Sequence, residues 1–151
     1  MSTDNASHPV EPKIITDFAE LYQSLNKDNL HRLSEVYSDD VEFIDSSHQL
    51  QGISNLTDYF EGLYSNLEYC RFDIKYIQSD SSGHAFLTWQ MDFAHPKLSG
   101  GKNITVDGAT DLRFEEKITY HRDFIDMGQM LYEHIPVLGS VIRFIKKKAI
   151  S

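Results

Sequence analysis

The stretch that decides the fold is Lys117-Ile-Thr-Tyr-His-Arg-Asp-Phe-Ile-Asp-Met127, which has the pattern of a late β-strand. Charged residues on an otherwise apolar strand cost free energy unless they are paired or used. Because side chains alternate along a strand, His121, Asp123 and Ile125 share one face. A carboxylate and an imidazole beside an apolar residue are typical of a small-molecule pocket.

The size and charge of the chain restrict its class. A chain of 151 residues with 40% hydrophobic residues forms one globular domain with one sizeable core. Its formal net charge of −9 argues against nucleic acid as a partner, since phosphates need a basic surface. The N-terminal residues lack the basic and apolar regions of a signal peptide, so a cytoplasmic location is the default prediction.

The sequence predicts neither a metal site nor a cofactor. Its seven histidines are scattered, and its single cysteine, Cys70, has no closely spaced histidine beside it. The Gly-containing segment Lys97-Leu-Ser-Gly-Gly101 lacks the Gly-Lys-Ser/Thr order of a phosphate loop.

Two periodicities follow one another along the chain. Helical spacing of apolar residues predicts helices over residues 14–25, 30–37 and 53–67, with a strand over 41–45. From residue 72 the period is two, which predicts strands over 72–76, 84–94, 104–114 and 117–126. Helices followed by strands with short turns predict an α+β domain whose helices pack on one face of a curved antiparallel sheet.

The opening of the chain carries a family resemblance. A helix is followed by Leu25-Asn-Lys-Asp-Asn-Leu30, a short helix, Tyr37-Ser-Asp-Asp-Val-Glu-Phe-Ile-Asp45, and then Gly52 with a third helix. This order resembles the nuclear-transport-factor-2-like superfamily, which includes ketosteroid isomerases, SnoaL-like polyketide cyclases and limonene epoxide hydrolases. The segment that ends the last predicted strand, Arg122-Asp-Phe-Ile-Asp126, is similar to the Arg-Asp-Tyr-Phe-Asp segment of the epoxide hydrolases. Over residues 14–127 the resemblance implies a cone-shaped α+β barrel with a deep pocket, usually dimeric through its sheet.

Compared with the isomerases, the chain keeps one functional group. Asp45 stands where those enzymes have their proton-transferring aspartate. Their oxyanion-hole tyrosine falls at Leu21, and their protonated aspartic acid falls at or near Thr110. Without those donors a developing enolate loses the stabilisation that is usually the largest catalytic contribution.

Compared with the epoxide hydrolases, the chain keeps two carboxylates. Their Asp-Arg-Asp set corresponds to Asp92, Gln90 and Asp123, and their water-positioning tyrosine and asparagine correspond to Phe43 and Asp45. A neutral amide cannot hold two carboxylates as a guanidinium does. The resemblance therefore implies three acids around Gln90 in one cavity, with at least one carboxyl pKa raised by its charged neighbours.

The first candidates also have structural interpretations. Asp45 could simply cap the end of its strand before Ser46-Ser47. Gln90 and Asp92 could lie on a hydrated outer face of the sheet. The functional interpretation instead places Gln90 and Asp92 in the pocket, as part of an acid/base set.

The later candidates leave similar alternatives. Asp123 could pair with Arg113 or Arg122 rather than face a ligand. His121 could be a structural hydrogen-bonding group rather than a catalytic one. Trp89 is interpreted as a core residue under the helices, not as part of a cofactor site.

The C-terminal segment lies beyond the resemblance. We divide the chain into a flexible leader over residues 1–12, a pocket domain over 13–127 and an amphipathic helical extension over 128–151. The extension has an apolar stripe, and four basic residues, Arg143, Lys146, Lys147 and Lys148, lie in the last nine positions, where no acid occurs. The preferred interpretation is a helix docked over the pocket mouth or a dimer seam. The alternative is an anchor on anionic lipid, which the acidic body would oppose.

These patterns lead to two functional hypotheses. In the first, a homodimeric enzyme transforms a small apolar molecule by carboxylate acid/base chemistry of a hydrolase or isomerase type, using Asp45, Asp92 and Asp123. Phe43, Gln90, Thr110 and His121 would line the pocket or orient these groups. In the second, the pocket belongs to a non-catalytic ligand-binding or protein-interaction module.

Overall fold

Most of the helices and strands form near the segments whose apolar periodicity predicts them. The computed structural model describes residues 11–135 and 138–150, so most of the predicted leader lies outside the described residues. The helices are α1 Lys13–Ser24, α2 Leu33–Val36, α3 Ile53–Ser65, α4 Met127–Met130 and α5 Leu138–Ala149. The strands are β1 Tyr37–Ile44, β2 Gln49–Gln51, β3 Tyr69–Ser79, β4 His84–Ala94, β5 Ile104–Phe114 and β6 Ile118–Ile125.

The six strands form one open, curved sheet in the order β2-β1-β6-β5-β4-β3. Strands β3 to β6 are successive antiparallel neighbours. Strand β1 pairs in parallel with β6, which places Phe43 beside His121. The predicted α+β fold is confirmed, with one parallel pair that local turn signals do not reveal, because the two partners are far apart in the sequence.

The alternation along β4 shows which face of the sheet carries the core. Ala85, Leu87, Trp89, Met91 and Phe93 are all buried, whereas Phe86 on the opposite face is 45% exposed. Helices α1 and α3 contribute Phe18, Leu56 and Phe60 to the same core. Since burial of one such side chain stabilises the fold by roughly 1.5–3 kcal/mol, the helices cover the more apolar face.

The C-terminal segment has two parts with different packing. Met130 packs against the core, and the short helix α4 is capped by Asp126, whose side chain accepts a hydrogen bond from the Gln129 backbone N–H group. Helix α5 leaves its apolar residues exposed, among them Phe144 at 62% and Ile145 at 57%. The expected docking over the pocket mouth is therefore wrong for α5 within the described chain, whereas docking at a dimer seam stays a prediction. No helix of the described residues is long and apolar enough to cross a membrane.

Candidate functional site

A cavity of about 520 Å³ lies between α3, the helix-covered face of the sheet and the α4 segment. Apolar side chains from the sheet and from α4 form much of its wall, including Phe43, Phe72, Trp89, Met91, Phe93, Ile125, Met127, Met130 and Leu131. Polar groups enter at Asp45, Ser46, Ser47, His48, Asp58, Tyr59, Asn66, His95 and Asp123. A cavity of this size and lining suits a small, largely apolar molecule.

Asp123 is the carboxylate that β6 presents to the cavity. Its Oδ1 atom accepts a hydrogen bond of 2.6 Å from Thr110 Oγ1 and lies 2.6 Å from His121 Nε2. The His121 side chain is 1% exposed, whereas that of Asp123 is 16% exposed. Among residues 11–135 and 138–150 no hydrogen bond reaches the second oxygen, Oδ2. One carboxylate oxygen is thus held by the protein, and the other has no hydrogen-bond partner among the described residues.

A buried chain of hydrogen bonds continues behind His121. His121 Nδ1 lies 2.7 Å from the Tyr37 hydroxyl, which lies 2.6 Å from the Tyr22 hydroxyl. Burial raises the pKa of both phenols well above their ordinary value, so they remain protonated. With the proton of a neutral His121 on Nε2, every link has a donor and an acceptor: Tyr22 donates to Tyr37, Tyr37 to Nδ1, and Nε2–H to Asp123.

Thr110 joins Asp123 to Trp89. Trp89 Nε1 donates a hydrogen bond of 2.8 Å to Thr110 Oγ1, which in turn donates to Asp123. Trp89 lies directly opposite Gly108 in the β4–β5 pair, and a Cβ atom at Gly108 would be 2.2 Å from the indole ring. The indole therefore lies across β5 because residue 108 has no side chain.

Asp45 lines the same cavity but is held differently. Its Oδ1 accepts hydrogen bonds from the backbone N–H groups of Ser47 at 2.8 Å and His48 at 2.7 Å, as the strand-end alternative expects. Its Oδ2 accepts a short hydrogen bond from the Tyr59 hydroxyl. Burial, and then the hydrogen bond to Asp45, raise the pKa of Tyr59 far above its ordinary value. Both oxygens of Asp45 are thus engaged, unlike those of Asp123.

Gln90 and Asp92 lie on the opposite face of the sheet. Asp92 accepts hydrogen bonds from Thr105 and Asn103, which hold the pKa of its carboxyl below the usual range. Gln90 bonds to Asp107 at 3.3 Å. The expected convergence of these two residues with Asp45 and Asp123 is wrong, because β4 turns Trp89, Met91 and Phe93 toward the cavity and its polar face outward.

The other candidates fall in the cavity or behind it. Phe43 lines the wall and lies against the His121 ring with centroids 4.6 Å apart. The arginines considered as partners of Asp123 stack on aromatic rings instead, Arg113 on Tyr120 and Arg122 on Phe124. His121, Asp123 and Ile125 share one face of β6, as alternation predicts.

Sequence reasoning missed the aromatic hydroxyl groups of the site. Tyr22 and Tyr59 occur within helical apolar patterns, and Tyr37 begins a strand that was predicted to start at Val41. Their phenolic hydroxyl groups could have indicated a polar site, since a buried tyrosine needs a hydrogen-bond partner. Within the described residues no group of three or more His, Cys, Asp or Glu side chains could hold a metal ion.

Comparison with known proteins identifies the family. The model of the SnoaL-like domain matches residues 18–121, whereas none of the curated proteins compared with the chain matches it. A protein from Catenulispora acidiphila DSM 44928 with a ketosteroid isomerase-like fold, solved with trimethylamine, superposes with a TM-score of 0.68, 18% identity, and coverage of 81% of this chain and 92% of its own.

Two further solved structures have the same fold. A protein described as a SnoaL-like polyketide cyclase, from Shewanella putrefaciens CN-32, has a TM-score of 0.66, 19% identity, and coverage of 80% and 95%. TerC, co-crystallised with polyporic acid, has a TM-score of 0.64, 11% identity, and coverage of 76% and 90%. By its family model, this chain belongs to the SnoaL-like domain family.

Proposed function

We propose that the protein binds a small apolar molecule in the cavity and transfers a proton to or from it through Asp123. The observation that carries this proposal is the asymmetric Asp123 carboxylate. Oδ1 is held by His121 and Thr110, while Oδ2 is without a hydrogen bond among the described residues. A positioned carboxylate of this kind is suited to general acid/base catalysis.

His121 acts in this proposal as a positioning residue. Its ring is buried between Phe43 and Tyr22 and cannot reorient without losing the hydrogen bond to Tyr37. It therefore fixes the rotamer of Asp123. If Asp123 takes a proton from a ligand, the Nε2–H group remains as a donor to the carboxyl oxygen.

Asp45 has a structural and orienting part in the proposal. It closes the turn after β1 and holds the Tyr59 ring at the cavity wall. The solved relatives supply the ligand class: one holds trimethylamine and one was crystallised with polyporic acid. Together with the apolar wall, they favour a small organic ligand.

Binding can be followed through Trp89, the single tryptophan of the chain and a residue of the cavity wall. A suitable probe is 2-tetralone, an apolar ketone with acidic protons next to its carbonyl group. We expect it to quench Trp89 fluorescence, and we expect the protein to speed exchange of those protons with deuterated solvent, measured by NMR.

The matched variants are Asp123→Asn and Asp92→Asn, the same chemical change on opposite faces of the sheet. We expect Asp123→Asn to lower the exchange rate by about 100-fold, in the usual range for loss of a general base, with quenching retained. Asp92→Asn should exchange at the wild-type rate. Equal loss in both variants would contradict the assignment.

The second candidate function is ligand binding without catalysis. It is favoured by the Tyr59 hydroxyl and the Trp89 N–H, two donors at the cavity that are already engaged by Asp45 and Thr110. A developing oxyanion would then need another donor. Quenching of Trp89 with no catalysed exchange in the wild type would support this candidate.

A further inference from the structure

Helix α5 is held to the body by its polar side. Arg143 Nη1 donates a hydrogen bond of 2.5 Å to the Glu133 carbonyl, and Lys146 Nζ lies 3.0 Å from Glu133 Oε1. Gly139 is buried, and a Cβ atom there would be 2.5 Å from the same carbonyl oxygen. At about 3.6 residues per turn, positions 139, 143 and 146 lie on one side of the helix.

The apolar residues of α5 lie on the other side and face away from the body. Leu138 is 43% exposed, Val141 47%, Phe144 62% and Ile145 57%. Docking by the polar side reverses the usual arrangement, in which a surface helix turns its apolar stripe to the core. These four exposed side chains are therefore available to contact a surface or a molecule outside the subunit.

The charges of α5 indicate which kind of surface its exposed apolar side contacts. Arg143 and Lys146 lie on the polar side, at Glu133, whereas Lys148 lies within the stripe and Lys147 at its edge, and no acid follows Glu133 in the chain. Lys148 extends along the Phe144 ring, 5.8 Å from its centroid. We propose that α5 is an interfacial helix that binds the surface of an anionic phospholipid bilayer, with its apolar side among the acyl chains and its lysines at the phosphates.

The acidic body does not prevent this contact. The rest of the chain has ten basic and 23 acidic residues, a formal charge of −13. It lies behind the polar side of α5, and a helix with its side chains is about 10–12 Å thick. That exceeds the Debye length of about 8 Å at physiological salt, so most of the repulsion is screened.

A second copy of the chain fits the stripe less well. A parallel pair of α5 helices packed by their apolar sides would bring the lysine runs of both subunits together, which costs electrostatic energy, and an antiparallel pair would offer the lysines no acid, since residues 138–149 contain none. A bilayer with anionic headgroups supplies both an apolar phase and the opposite charge, at about 1 kcal/mol for each basic residue near the surface.

The test is co-sedimentation of the full chain with vesicles. The probes are phosphatidylcholine vesicles with and without phosphatidylglycerol. We expect binding to the anionic vesicles that weakens as sodium chloride is added, and little binding to pure phosphatidylcholine. Absence of binding to anionic vesicles at physiological salt would overturn the proposal.

The matched variants are Ile145→Ser and Tyr76→Ser, since these two residues are 57% and 54% exposed. Ile145→Ser should weaken vesicle binding by about tenfold or more, because one large aliphatic side chain no longer enters the acyl region. Tyr76→Ser, on β3, should bind like the wild type. Equal effects of the two, or conversion of a dimer to a monomer by Ile145→Ser in sedimentation velocity, would overturn the proposal.

Discussion

One glycine decides where the single tryptophan lies. A Cβ atom at Gly108 would overlap the Trp89 indole, so we expect Gly108→Ala to move the ring and break its hydrogen bond to Thr110. Overpacking of this kind costs about 1–3 kcal/mol. The measurements are urea unfolding and a red shift of Trp89 emission.

Gly62→Ala is the control for this change. Gly62 lies in α3, and a Cβ atom there has no neighbour within 4 Å. Alanine should therefore raise the free energy of unfolding by up to about 1 kcal/mol through helix propensity, with emission unchanged. Equal destabilisation by both alanines would refute the close packing of Trp89 on Gly108.

Cys70 should make the fold sensitive to alkaline pH. Burial raises the pKa of its thiol from the ordinary 9.0 to about 12. The folded chain then keeps a proton that the unfolded chain releases, so stability is full below about pH 9 and falls as the pH rises toward 12. Urea unfolding at pH 8, 9 and 10 should show this fall in the wild type.

Cys70→Ala isolates the contribution of the thiol. Its free energy of unfolding should decline less between pH 9 and 10 than that of the wild type, because tyrosines titrate at higher pH. In addition, iodoacetamide should alkylate the native wild type much more slowly than the urea-unfolded chain at pH 8.5. Parallel pH curves for wild type and variant would contradict the shifted thiol pKa.

The two strands that carry the candidate residues differ in how well their side chains could be placed. On β6, alternation alone puts the side chains of His121 and Asp123 on the same face, because residues two positions apart in a strand point the same way. On β4 it separates Gln90 and Asp92 from Trp89 and Met91, but it does not say which set faces inward. The more apolar set faces inward, and for this reason the resemblance to an acid/base set at Gln90 and Asp92 was misleading.

At the scale of elements, the contact between Gly139 and Glu133 governs how α5 is held. Gly139→Ala would place a Cβ atom 2.5 Å from the Glu133 carbonyl oxygen. This clash would push α5 away from Glu133 and weaken the hydrogen bond that Arg143 donates to the same carbonyl. We expect trypsin to cleave at the basic residues of α5 several times faster than in the wild type, as measured by limited proteolysis.

The control is Ser140→Ala, an exposed neighbouring position on the same helix. It raises helix propensity without a clash, so cleavage should be unchanged or slower. If Gly139→Ala also slowed cleavage, helix propensity alone would explain the result and the close contact with Glu133 would be refuted.

Helices and strands that form through local sequence patterns could be predicted, whereas those that depend on pairing with distant residues could not. Strands β4 and β5 have the predicted bounds because their alternation is long and regular. Strand β2, Gln49–Gln51, was missed because three residues with one apolar side chain, Leu50, are too few to show a period, and it forms by pairing with β1. Strand β1 starts at Tyr37 rather than at Val41 because Tyr37 pairs with Ile118, far along the chain.

At the scale of the whole molecule, the outer face of the sheet favours a dimer. Phe86 and Phe124 are 45% and 48% exposed on the face opposite the core. Apolar residues on both faces of a sheet need cover on both sides. We expect sedimentation velocity at low micromolar concentration to show a dimer, and Phe86→Glu to shift it toward monomer. A clean monomer in the wild type would remove the argument.

The sequence by itself determined the α+β class, the family resemblance, most of the helices and strands, and the common strand face of His121 and Asp123. These features depend on local periodicity and on parity within one strand. The tertiary structure alone decided that Tyr37 and Tyr22 stand behind His121, that Gln90 and Asp92 face outward, and that α5 turns its apolar side away from the body. Each of these depends on contacts between elements distant in the chain, and such contacts leave no periodic signal in the sequence.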